Sequence, residues 1–179
     1  MTPEQADAIL DFWFSHGWDD WWTPDPAFDA EIRDRFLTLW EEERANEPDH
    51  FLGAADDALA GVILFDQFPR NMFRGHAEQF STDPLALAVA KGAIGRGYDD
   101  GMTPERRGFL YMPFEHSENL TDQRQSLLLF TALGHAEQLK YARKHYEVIE
   151  KFGRFPHRNA MLGRKPTALE AAAGDVVPW

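Results

Sequence analysis

With 179 residues, 44% hydrophobic and 13% aromatic, led by 14 Phe and 6 Trp, the chain can bury a ring-rich core as one domain, residues 1–179, which excludes general disorder. Cysteine is absent, so disulfides, thiol catalysis and cysteine-ligated zinc or iron–sulfur sites are excluded, and the reducing cytoplasm is the expected compartment. A formal charge of −12 repels phosphate backbones, so no direct nucleic-acid role is expected, although a local basic cluster can still attract a small anion.

The opening MTPEQADAIL is acidic where a secretory signal would be positive. The longest apolar run, ALAGVILF, stops at eight residues against the roughly 20 that span a bilayer, so no membrane role is expected.

Four pairs of a capping residue followed by proline mark helix starts: Thr2-Pro3, Asp25-Pro26, Asp83-Pro84 and Thr103-Pro104. Thr2 has Gln5 three positions on, as a capping box requires, and Ile9, Phe12 and Trp13 then recur at helical spacing. From Pro26, Phe28, Ile32, Phe36, Leu39 and Trp40 form one stripe that ends at NEPDH, and Asp56 to Phe65 reads as a more buried helix. Residues 84–96 form an alanine-rich helix, and 104–112 form another that is disturbed at Pro113. Thr121 is the expected cap of 122–133, and 136–152 finishes near Gly153. That gives seven substantial helices and a short eighth in TALEAAA, before an exposed tail GDVVPW. No segment alternates apolar and polar residues as a strand would, so the predicted class is all-α: antiparallel helical hairpins packed as a bundle or a short solenoid.

Two segments share a pattern: FDQFPRNMFRG at 65–75 and FGRFPHRNAMLGR at 152–164. Because proline pushes its predecessor towards extended backbone, both Phe-Pro pairs are expected to end a helix and turn the chain. Arginines near such ends donate to free carbonyls, so Arg70, Arg154 and Arg158, aided by Asn71 and Asn159, read most simply as structural fasteners. In FLYMPFEHSEN between them, a helical continuation would place Glu115 and Glu118 at i, i+3, where their charges repel. A positive partner is then expected from Arg70, Arg154, Arg158 or Arg164, or else a metal or a shared proton.

With ILDFWF and the tryptophans Trp21 and Trp22 before an acidic helix, these three motifs resemble the bacterial family called domain of unknown function 924 over nearly the whole chain. The resemblance implies a compact, tetratricopeptide-like array of paired antiparallel helices and implies no activity. The spacing of Phe68 and Phe155 is no multiple of the roughly 34-residue tetratricopeptide period, so the likeness to those repeats is one of shape.

Two functional classes stay open beside the fastener reading. One is a scaffold that binds a peptide or small anionic ligand through Arg70, Asn71, Arg158, Asn159 and Arg164, with Trp18, Trp21 and Trp22 as exposed aromatics. The other is a hydrolase-like small-molecule enzyme with candidate catalytic residues Asp66, Glu115, His116 and His157 and an arginine clamp. It requires His116 and His157 to share a cavity. No cofactor is expected; His116, Glu115, Glu118 and His157 are possible metal ligands by type, but no HExxH or calcium loop is present and no metal is expected. The remaining histidines, His145 among them, read as surface, cap or core residues.

Overall fold

The structure is a computed structural model, and it describes residues 1–174. The described residues are helical, with no strand among them. The α-helices are α1 (Pro3–Phe14), α2 (Trp18–Trp22), α3 (Pro26–Glu43), α4 (Ala55–Val62), α5 (Phe68–Met72), α6 (Asp83–Gly95), α7 (Pro104–His116), α8 (Leu120–Leu133), α9 (Ala136–Phe152) and α10 (Ala168–Ala173). A π-helical turn, Ile63–Gln67, joins α4 to α5 without a break. Of the expected tail, 175–179 lie outside the described residues.

Helices α7, α8 and α9 pack in succession, α6 lies against α7, and α4 is held between α1 and α6. The core is a continuous ring cluster in which Trp13 lies 5.5 Å from Phe109 and Phe36 lies 4.6 Å from Phe68. Each buried ring contributes roughly 2–3 kcal/mol by leaving water, so the predicted stripe of α3 is what anchors it: Phe28, Ile32, Phe36 and Trp40 are buried and Leu39 is half-buried.

Three of the four expected caps form: Thr2 accepts from the Gln5 amide and completes its box, Asp25 accepts from the Ala27 amide at 2.8 Å, and Thr103 accepts from the Arg106 amide. Asp83 does not cap. Thr82 holds the cap position of α6, and the Asp83 carboxylate turns to Arg70 and Arg158. Asn119, not Thr121, caps α8, because its side chain reaches the Thr121 amide at 2.8 Å.

The two Phe-Pro pairs behave differently. Phe155 is extended (φ −89°, ψ 106°) after α9 closes at left-handed Gly153, and the chain turns there as expected. Phe68 is helical (φ −59°, ψ −40°), so the first pair does not end a helix. The widened turn before it makes this possible, since the Phe68 amide reaches back five residues to Ile63. Pro69 offers no N–H to the carbonyl four residues back, Phe65, and the buried Thr82 hydroxyl donates to that carbonyl at 2.7 Å while accepting from Trp40 Nε1. The widening also turns backbone oxygens towards side chains: Gln67 O accepts from Asn71, and Asp66 O accepts from Arg70. Helix α7 likewise runs through Pro113 to His116, and Gln123 Nε2 donates to the carbonyls of Phe114, Glu115 and Ser117 at its end. Because α7 stops there, Glu118 lies outside the helix and the expected repulsion with Glu115 does not arise.

Candidate functional site

Helices α2 and α5, the C-terminal part of α7, the first half of α9 and the short turn Pro156–Arg158 contribute walls to a cavity of about 700 Å3, within the range of small-molecule sites. Arg70, Glu115, His116, His157 and Arg158 line it, so His116 and His157 share one space. Asp66 stands behind His116, fully buried.

The buried groups form a chain of charges. His116 Nδ1 lies 2.8 Å from Asp66 Oδ1 and 3.0 Å from Oδ2, and Gln67 Nε2 donates to the same carboxylate. Arg70 Nη1 is 3.4 Å from Asp66 Oδ1, and both Arg70 Nη atoms bond to Asp83 at 3.0 and 3.1 Å. Asp83 also accepts from Arg158 Nη1 at 3.3 Å. One carboxylate therefore holds two guanidinium groups, brought from segments 13 and 75 residues away.

Charge state follows from these neighbours. Burial pushes the Asp66 carboxyl up, but the charges of Arg70 and then His116 outweigh it and hold it down to about 2. Burial, then Arg70, pushes His116 down to about 4 against the pull of Asp66. At neutral pH Asp66 is thus an anion and His116 a neutral imidazole. An anion only accepts, so the proton sits on Nδ1, and Nε2 is left as an acceptor with no hydrogen bond among the described residues. Burial, then Arg158, brings His157 down to about 4 as well, and its Nδ1 is buried without a partner among the described residues.

Arg158 is a buried charge with few hydrogen bonds among the described residues. It is 7% exposed, and its guanidinium lies 4.5 Å from the centre of the Phe80 ring and 4.4 Å from that of Phe155. Burial and then Arg70 lower it to about 10, so it stays charged at neutral pH. Of its five N–H donors, Nη1 alone has a hydrogen bond among the described residues; Nε is buried and unpartnered.

Other expected site residues lie elsewhere. Asn71 is buried between Gln67 O and Arg74, away from the cavity. Asn159 and Arg164 face a shallower hollow of about 480 Å3, where Arg164 forks onto Glu118 at 2.7 and 3.0 Å and also bonds Asn159. Arg154 forks onto Glu170 at 2.7 Å for both contacts. Glu118 further accepts from the Phe155 amide at 2.7 Å, so these groups tie the chain after α9 to the loop after α7. They are fasteners in geometry.

Two site residues escaped sequence reasoning. Asp83 reads as a helix cap, and its distant partners leave no local signal. His145 reads as a surface, cap or core residue, yet its Nδ1 lies 2.9 Å from Glu115 and its ring centre 5.9 Å from that of His116. The available signal is the spacing of Gln138, Tyr141 and His145, which share one face of α9 and all line the cavity. At the rim, Trp18 and Trp22 are 45% and 44% exposed, whereas Trp21 folds onto Trp13 and Phe109. No group of three or more metal-ligating side chains placed to hold an ion occurs among the described residues.

A solved structure described as a protein of unknown function, ATU0120 from Agrobacterium tumefaciens, is similar to this chain at 40% identity, with a TM-score of 0.90, covering 97% of this chain and 98% of that one. No curated protein matches. The family model described as a bacterial protein of unknown function (DUF924) matches residues 9–173, and on that match the chain belongs to this family.

Proposed function

We propose that the cavity binds a small anionic ligand, with Arg158 and Arg70 as its grip. The observation that carries this is the under-satisfied Arg158: a buried guanidinium lying over two rings, with one of its donors used among the described residues, in the wall of a cavity of about 700 Å3. A buried donor without a partner costs about 1–3 kcal/mol, and guanidinium donors pair best with carboxylate or phosphate oxygens, so an incoming oxyanion recovers what folding left unmet. The reading rests on unmatched donors rather than net charge, since Asp66 and Asp83 already balance the two arginines. We read the succession of packed helices as tetratricopeptide-like in shape and the cysteine-free chain as cytoplasmic.

Calorimetric titration with acetate, phosphate and larger carboxylates tests the proposal. Saturable binding that disappears in Arg158→Ala, with the circular dichroism spectrum unchanged, is the expected result. No binding of any of these anions at roughly 10 mM would sink it. A second reading, acid–base catalysis, is favoured by one observation: Asp66 orients a neutral His116 whose Nε2 is an unused acceptor. Turnover of an ester or phosphoester substrate that is lost in His116→Ala, while anion binding persists, distinguishes catalysis from binding.

A further inference from the structure

We propose, resting on the anion-binding reading, that the ligand is an organic acid with an apolar, ring-bearing body that also carries a hydroxyl, whose proton is accepted by His116 Nε2. Three wall regions of the one cavity carry this. The first is the Arg158 and Arg70 pair, which takes the acid group.

The second is His116. Asp66 fixes its ring by accepting the hydrogen bond from Nδ1–H, so the imidazole that lines the cavity keeps a lone pair on Nε2, with Arg70 on the same Asp66 carboxylate. That combination discriminates. A carboxylate alone meets the arginines but has no proton for Nε2, and an alcohol alone meets Nε2 but leaves the guanidinium donors unmatched. A ligand bearing both groups satisfies the wall, and a site that hydrogen-bonds a hydroxyl rejects the analogue lacking it more strongly than an apolar wall can. Both regions line the same cavity, and one carboxylate joins them: Asp66 lies 2.8 Å from His116 Nδ1 and 3.4 Å from Arg70 Nη1, which brings the imidazole next to the grip.

The third region is the mouth. Helix α2 buries none of its residues, yet its two exposed indoles stand 5.5 Å apart on the cavity rim. Met112 and Met161 continue this apolar lining, and their flexible thioethers adapt to a flat ring. A hydrophilic anion such as phosphate would leave that lining unused.

The test is calorimetry at about pH 8, where His116 is neutral, with four probes: phenyllactate and tropate, which carry both acid and hydroxyl; hydrocinnamate, which has the acid alone; and hydrocinnamyl alcohol, which has the hydroxyl alone. The expected result is that at least one hydroxy acid binds about tenfold tighter than hydrocinnamate, and that the alcohol binds weakest. His116→Ala should erase the tenfold difference while hydrocinnamate still binds, and Arg158→Ala should abolish binding of all three acids. Nitrogen NMR of the unmutated protein needs no variant to fold: the Nε2 resonance of His116 should move on adding the hydroxy acid and stay in place with hydrocinnamate. If the hydroxy acids and hydrocinnamate bind alike and the resonance stays put, the role of His116 is overturned while the anion grip stands. If none of the acids binds, both fall.

Discussion

Removing the Asp83 carboxylate probes the cluster most directly, because one side chain holds two arginines, Arg158 buried and Arg70 half-buried. In Asp83→Ala, Arg70 keeps Asp66 at 3.4 Å, but Arg158 is left with the faces of Phe80 and Phe155. Deleting one partner of a buried pair costs about 3–5 kcal/mol, since an uncompensated charge stays behind. The side chains of Asp83, Arg70 and Arg158 are 16%, 20% and 8% exposed, so water relieves some of the penalty and the expected loss is at the lower end, about 3 kcal/mol. Urea unfolding at neutral pH, followed by tryptophan fluorescence, measures it. Asp83→Asn, which keeps an acceptor oxygen and loses the charge, should fall between the wild type and Asp83→Ala. Added acetate should raise the unfolding midpoint of Asp83→Ala more than that of the wild type, because the vacated space takes a carboxylate. A loss under about 1 kcal/mol, the range of solvated surface pairs, would refute the idea that a shared, largely shielded charge organises this site.

Three further outcomes are expected. Thr82→Val strips the donor from Phe65 O and the acceptor from Trp40 Nε1, both buried, and should cost about 2–4 kcal/mol in the same assay; a loss below about 0.5 kcal/mol would mean the proline-widened turn does not depend on that hydroxyl. Trp18→Ala and Trp22→Ala should each change stability by under about 1 kcal/mol, whereas Trp13→Ala, fully buried, should lose about 3–5 kcal/mol, and equal losses would contradict the placement of α2 at the rim. The histidines set the acid limb. With His116 and His157 depressed from 6.5 to about 4, the unfolded chain takes up their protons first, so this stability is complete above about pH 6.5 and is lost as pH falls towards 4. Asp66, depressed from 3.8 to about 2, adds a further loss below that window. Urea midpoints between pH 7 and pH 4 should therefore fall less steeply in the double substitution His116→Gln, His157→Gln, and an unchanged slope would contradict the burial of the two rings.

The sequence by itself determined what neighbours along the chain can determine. A cap followed by proline, a stripe of rings every three or four residues and a glycine after the last apolar position act within one helix, so the starts at Pro3, Pro26 and Pro104 and the end at Gly153 were legible. The convergence of Arg70, Glu115, His116, His157 and Arg158 could be proposed from residue type but not fixed. Tertiary structure decided the rest because its causes are long-range. Whether Pro69 breaks a helix depends on Thr82, which reaches the orphaned carbonyl from another segment. Whether Asp83 caps or pairs depends on Arg158, 75 residues on, and the protonation of His116 depends on Asp66, 50 residues away. Asn159 and Arg164 share their motif with Arg158 and yet face a different hollow, where Glu170 accepts from Asn159 and Glu118 pairs with Arg164. Burial and charge pairing act through space, and spacing along one helix carries no record of them.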